Sequence, residues 1–214
     1  MAGVSPSPAT FSLGRFADLA ERVLATPPRP GPVRLVAIDG PGGSGKTTFA
    51  GRLAAALGDA QVVHTDDFVD SWGDPMGFWP RLREQVLDPL LAGRAGRYQR
   101  YDWLAGELAG WHDVPLAPAV VIEGVSSARR DVAGALTLAV WVETPPSLRL
   151  RRALARDGAG MLEQWRLWMS LESAHFATDA TRERADVFVD GDPVVPHDAE
   201  QEYVVPLESD EGLD

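Results

Sequence analysis

The chain has 214 residues, 45% of them apolar and 24% charged, enough for one soluble domain with a full core, and it contains no apolar run near the about 18 residues that span a bilayer. The absence of cysteine excludes disulfides, thiolate nucleophiles and Cys-ligated zinc and points to the cytoplasm. Of the net charge of −11, ten acidic residues with no Lys or Arg fall between Asp186 and Asp214, so the preceding residues, with 21 acidic and 20 basic side chains, are nearly neutral and carry no nucleic-acid footprint.

Residues 1–10 (MAGVSPSPAT) are rich in Ser and Pro, are expected to be disordered, and lack the basic start and apolar core of a signal peptide. From Phe11 to Ala25, Leu13, Phe16, Leu19 or Ala20, Val23 and Leu24 recur at helical spacing, which predicts an amphipathic helix ended by the proline-rich TPPRPGP. Val33 to Ile38 then reads as a strand. It leads into GPGGSGKTT, Gly40 to Thr48, and an Ala/Leu-rich helix from Lys46 to Leu57. Gly40, Gly45, Lys46 and Thr47 satisfy the phosphate-loop pattern. In that loop unhindered amides, here those of Gly40, Gly42, Gly43, Ser44, Gly45, Lys46, Thr47 and Thr48, wrap a nucleotide's phosphates; the lysine reaches the terminal ones and the hydroxyl ligates Mg²⁺. Lys46 is the only lysine in the chain, so a composition that uses Arg everywhere else keeps a compact ammonium at this one position.

Gln61 to Thr65 is a second short strand, followed directly by Asp66, Asp67 and Phe68. A loop crowded with Gly, Pro and aromatic residues (71–80) precedes a helix from Arg81 to Leu91, and Gly93 to Gly110 has no clear assignment. Further strands are expected at Ala119–Glu123, Leu136–Val142 and Asp186–Val189, and helices at Pro146–Arg156 and Met161–Phe176. Strands alternating with helices predict an α/β three-layer sandwich with a five-stranded parallel sheet, in which ligands sit beyond the carboxyl ends of the strands. Gly40, Asp66 and Glu123 then share one cleft. The expected organisation is a single domain over 11–191 with an Arg-rich lid at about 149–162. An acidic tail over 192–214 reads as a solvated terminus, with an interaction arm as the alternative.

Phosphoryl transfer to an alcohol needs a phosphate cradle with Mg²⁺, a base beside the acceptor hydroxyl, cations for the moving group and a pocket that excludes water. Asp66, at a strand end, is either that base or a loop acid, and Glu123, which closes an otherwise apolar strand, either orients the metal or pairs with an arginine. Arg149, Arg152 and Arg156 fall on one helical face before a Gly-flanked connection, as in a lid that closes over phosphates. Trp72, Phe78, Trp79, Trp103 and Trp111 crowd the segments that wall the acceptor site, although core packing accounts for most of them. Glu172 and His175 either reach the site or form a buried polar pair.

The segments IDGPGGSGKTT, HTDDFVD, RYDW, VVIEG and RLRRALARD, in this order and spacing, resemble the uridine kinase family of phosphate-loop nucleoside kinases over roughly residues 33 to 190. The resemblance implies ATP with Mg²⁺ and transfer of the γ-phosphoryl group to a nucleoside-like hydroxyl. It further implies Asp66 as catalytic base, Arg152 and Arg156 as lid arginines, and Asp74 and Tyr101 at the acceptor; together with the motif and the aromatic segments, the expected sets are Lys46, Asp66, Arg152 and Arg156 for catalysis, Thr47, Asp66 and Glu123 for the metal, and Asp74, Tyr101, Trp103 and Phe78 for the acceptor. Gly106 stands where the family carries a pyrimidine-reading histidine, His112 lies farther along, and the lid shortens to RDGAG. Kinases of another small alcohol or of a nucleoside monophosphate, and a nucleotide-binding regulatory module, remain as alternatives. No membrane partner is expected, and a homo-oligomer is left open.

Overall fold

Strand-like runs such as VRLVAI and AVVIE are largely apolar on both faces, and a parallel sheet covered by helices on both sides is the arrangement that buries both. The structure, a computed structural model, describes residues 11–206; the stretch expected to be disordered, 1–10, and the end of the acidic tail, 207–214, lie outside the described residues. The chain opens with β1 (Phe11–Arg15) and α1 (Phe16–Ala25), then β2 (Arg34–Asp39), α2 (Lys46–Ala56) and β3 (Gln61–His64). A helical stretch follows, α3 (Trp79–Leu82), a π turn (Arg83–Leu87) and α4 (Asp88–Leu91), and leads to a hairpin of β4 (Gly96–Asp102) and β5 (Glu107–Val114). The second half runs through β6 (Ala119–Glu123), α5 (Arg130–Ala133), β7 (Leu136–Glu143), α6 (Pro146–Asp157), α7 (Leu162–Asp179), β8 (Val187–Asp190) and β9 (Glu202–Pro206).

The central sheet has the order β3-β6-β2-β7-β8 with every pairing parallel. Alternation along β2 sends Leu35 and Ala37 to one layer, with Trp79, Leu82, Val86 and Trp168, and Val36 and Ile38 to the other, with Phe16, Val23, Phe49 and Leu53. The connection leaving β2 runs to one side of the sheet and that leaving β7 to the other. A crevice therefore opens at their carboxyl ends, where a ligand site is expected in such sheets. Among the described residues no helix is long and apolar enough to cross a membrane.

Two expectations are corrected. The helix expected over 11–25 begins at Phe16, because Phe11–Arg15 pairs antiparallel with Glu202–Pro206, from Phe11 opposite Pro206 to Arg15 opposite Glu202. By the same pairing the segment from 192 onward is not a free acidic tail as far as Pro206. Val204 is buried, and the Tyr203 ring packs 5.3 Å from both Phe16 and Phe49, closing the domain over α1 and α2. The stretch without assignment, 93–110, falls mostly in the β4–β5 hairpin.

Candidate active site

The turn after β2 can be made only by residues that accept unusual backbone angles and close approach. Gly45 has φ +100° and caps α2, and Gly40 has φ +138°, with a Cβ there running into the carbonyl oxygen of Val142. The turn aims the α2 N-terminus, with its unpaired amides, into the crevice. Lys46 is buried and donates from Nζ to the Pro41 carbonyl at 2.9 Å, so the ammonium lies across the mouth of the loop. The cleft, about 690 Å³, is lined by Gly42, Gly43, Gly45, Lys46, Thr47 and Thr48, while the buried Ser44 lies behind the loop, as does Gly40.

Asp39 fixes the loop from below. Its fully buried carboxylate accepts N–H bonds from Gly40 (2.7 Å) and Ser126 (2.9 Å) on Oδ1 and from Ala128 (2.8 Å) on Oδ2, which ties the end of β2 to the turn after β6. Burial pushes its pKa up to about 7, against the opposing pull of these amides and of Lys46.

Three carboxyl and hydroxyl groups meet in front of the loop. Thr47 Oγ1 donates to Glu123 Oε1 at 3.2 Å, and Glu123 Oε2 lies 2.7 Å from His64 Nδ1, which raises the imidazole pKa. Asp66, in the turn after β3, opens onto the same cleft, and its surface remains exposed on that side while protein encloses the rest. This enclosure, followed by the neighbouring Glu123 charge, raises its pKa, with Lys46 and Arg156 opposing. The structure thus brings Lys46, Thr47, Asp66 and Glu123 together.

The arginines divide. Arg152 and Arg156 line the cleft. Arg152 is held by Asp192 (2.7 Å) and the Gly191 carbonyl (3.2 Å); Arg156 makes a two-bond pair with Asp157 (2.7 and 2.9 Å) and lies over the Trp165 ring. Arg149, expected on the same lid face, is buried instead. It donates to Thr144 O and Gly42 O and pairs with Glu172 at 2.7 Å, so the expected lid is anchored to the phosphate loop at its first residue. Glu172 therefore does not pair with His175, whose Nε2 has no partner.

Of the expected acceptor contacts, Phe78 is corrected. It sits at 3% exposure between Phe68 and Trp79, a core ring, because the turn at 74–77 rotates it under the helix that follows. Asp74 lies exposed on that turn, outside the cleft lining. Tyr101 and Trp103 are in edge contact at 5.3 Å and stand one ring away from the cleft: Trp103 meets Trp72, and Trp72 meets Trp165 and Trp168, which do line it. His112 stacks on Tyr98 in the hairpin and takes no part.

Sequence reasoning missed Asp39 and the wall supplied by Arg52, Asp192, His197 and Tyr203 at the far end of the cleft, and it gave Arg149 a lid role in place of its bonds to Gly42 and Glu172. The short run YVVP, breaking the acidic composition of the C-terminal segment, was the available signal for that wall.

No family model matches the chain. It is 28% identical over 157 residues to an inorganic pyrophosphatase of Arabidopsis thaliana, in an alignment covering 69% of this chain but only 23% of that longer protein. It is 23% identical over 180 residues to a uridine kinase of Borrelia turicatae, covering 73% of this chain and 86% of that one. Its fold matches a solved structure of a candidate uridine kinase from Bacillus stearothermophilus, with TM-score 0.59 and 22% identity over 81% of this chain and 96% of that one. The chain shares the fold of that candidate uridine kinase. In this chain the loop, the strand-end acids and the cleft arginines come from the segments that carry the resemblance, while the strap formed by β1 and β9 lies outside them.

Proposed function

We propose that this protein is a P-loop kinase that transfers the γ-phosphoryl group of ATP, with Mg²⁺, to a hydroxyl of a nucleoside-like small molecule. The observation that carries the reading is the convergence of Asp66, Glu123, Thr47, Lys46 and Arg156 on one cleft at the carboxyl ends of the strands. Thr47 and the two acids offer hard oxygen donors, which fit Mg²⁺. Among the described residues no group of three or more His, Cys, Asp or Glu forms a metal cage, as suits an ion that keeps waters and phosphate oxygens. When bound, the ion would offset charge on the phosphates.

Lys46 and the loop amides hold those phosphates. Asp66 accepts the acceptor's hydroxyl proton as the hydroxyl oxygen bonds to the γ-phosphorus; the bond from that phosphorus to the β,γ-bridging oxygen breaks, and ADP leaves with the electron pair. Its raised pKa brings Asp66 nearer to neutrality, where a general base works best. Arg152 and Arg156 exchange Asp192 and Asp157 for phosphate oxygens as the group moves.

A phosphorylated acceptor is the second reading. Of the arginines near the acceptor segments, Arg81 donates to the Gln99 carbonyl, and Arg83 and Arg97 form exposed pairs with Asp88 and Asp113, while Arg100 is exposed. The test is ADP release from ATP and Mg²⁺ across nucleosides, nucleoside monophosphates, pantothenate and sugars, with Lys46→Ala as the blank. One unphosphorylated alcohol should accelerate release; acceleration by a nucleoside monophosphate alone, or by no acceptor, overturns the reading.

A further inference from the structure

Behind the phosphate loop lies a buried ion pair that the chemistry described above does not use. Glu172, on α7, is 1% exposed and receives three donors. Gly42 N–H (2.8 Å) and Trp168 Nε1–H (2.9 Å) bond to Oε2, and Arg149 Nη1–H (2.7 Å) bonds to Oε1. Arg149 turns back onto the same glycine, donating to Gly42 O at 3.3 Å, and is itself held by Thr144 O at 3.1 Å. Gly42 is thus gripped at both ends, its N–H by the acid and its carbonyl by the base. No room remains for it to shift, since a Cβ there would stand 3.0 Å from the Trp165 ring and 3.3 Å from Glu172 Oε2.

Two physical points make this more than a stabilising contact. A buried ion pair returns little net stability once both charges have lost their water, so its value lies in fixing geometry. A carboxylate set behind an anion-binding loop also opposes phosphate unless a partner cancels it, and Arg149 lies 2.7 Å away to do so. The brace is therefore nearly neutral overall and directional at Gly42, whose neighbours Gly43 and Gly45 line the phosphate end of the cleft.

We propose that Glu172 and Arg149 are positioning residues that set the shape of the phosphate loop from behind, with Trp168 orienting the acid. The proposal rests on the reading of the loop as a nucleotide phosphate site. It predicts a selective defect: ligands that place phosphates in the loop lose affinity, and a ligand that lacks them does not.

The experiment is calorimetric binding of ADP with Mg²⁺ and, separately, of adenosine to the full chain and to Glu172→Gln and Arg149→Lys. In Glu172→Gln the charge-assisted grip on Gly42 is lost, and ADP affinity should fall about tenfold, the worth of one such bond, while adenosine stays within about twofold. Arg149→Lys keeps a positive charge beside Glu172 but gives up the guanidinium's bond to the Gly42 carbonyl, and should lower ADP affinity about threefold with adenosine again spared. Should Glu172→Gln not fold, the Arg149→Lys result decides alone. Unchanged ADP affinity, or an equal loss for ADP and adenosine, overturns the positioning role. A wild-type chain that shows no preference for ADP over adenosine overturns the nucleotide reading itself, and the proposal with it.

Discussion

Replacing Asp39 by Asn tests whether the phosphate loop is held from below as the hydrogen bonds indicate. Asparagine keeps one carbonyl oxygen, which can take the Gly40 and Ser126 amides as Oδ1 does now at 2.7 and 2.9 Å. Its NH₂ then faces the Ala128 N–H, which now donates to Oδ2 at 2.8 Å, and two donors meet in a site closed to water. A protonated Asp avoids this because its hydroxyl oxygen retains a lone pair for Ala128. One lost buried bond with its donor left unsatisfied costs about 2–3 kcal/mol, or about 5–10 °C in Tm for a chain of this size. The penalty depends on pH with a definite sign. The unfolded carboxyl ionises near 3.8 and the folded one near about 7, so between these values the native chain holds a proton that the unfolded chain has released. Wild-type stability from this group is full below the lower value and is lost as pH rises through the upper one, and Asp39→Asn has no such titration. The stability gap between the two proteins is therefore widest below the unfolded value and narrows by about 3 kcal/mol between pH 5 and pH 8. Urea unfolding followed by circular dichroism at both pH values measures it. A gap that widens with pH would refute the reasoning, since it would mean that Asp39 is stabilised as a carboxylate.

Asp66→Ala should lower turnover by about 10²–10⁴ while nucleotide binding is retained, and steady-state ADP release together with calorimetry measures both; turnover within tenfold of wild type removes the assignment as base. Phe78→Ala should cost about 3–5 kcal/mol in urea unfolding, as expected of a core ring, whereas Trp103→Ala should leave stability within about 1 kcal/mol and raise the acceptor KM. The reverse pattern would restore Phe78 to the acceptor site. Tyr203→Ala removes the ring lodged between Phe16 and Phe49 and should cost about 2 kcal/mol, since the side chain is half-buried; an unchanged unfolding midpoint would mean that the C-terminal segment does not close the domain.

What could be read in advance follows the distance over which each feature is specified. The phosphate loop is written in consecutive residues, because its backbone turn, its lysine and its hydroxyl all belong to one strand-to-helix junction. The five strands were legible because VRLVAI and AVVIE are apolar on both faces. The β1–β9 pair was not, since FSLGR finds its partner only at the other end of the chain and its Phe11 and Leu13 remain exposed, so its pattern says little about a sheet. Asp39 looked like any strand-end acid, and its role depends on Ser126 and Ala128, 87 and 89 positions away. Helical periodicity placed Arg149 with Arg152 and Arg156; it could not reveal that the loop carbonyls and Glu172 would claim the first of them.

The same contrast would let phosphoryl transfer and acceptor choice separate under the proposed function. The donor end of the cleft draws its polar contacts from one contiguous loop and two strand ends, each fixed by backbone geometry. On the proposed reading the acceptor end is walled by Trp165 and Trp168 on α7, backed by Trp72 in the loop after β3 and Trp103 at the tip of the hairpin, with ring separations of 5.7 to 6.3 Å. Large flat rings contribute area and shape but few directional bonds, so such a wall selects by outline more than by hydrogen-bond pattern. Exchange of Trp72 or Trp103 can then alter which alcohol fits without moving Lys46, Thr47 or Asp66. With Gly106 at the expected position of the pyrimidine-reading histidine and His112 stacked on Tyr98, the proposed reading assigns the choice of acceptor to the indole wall rather than to a histidine.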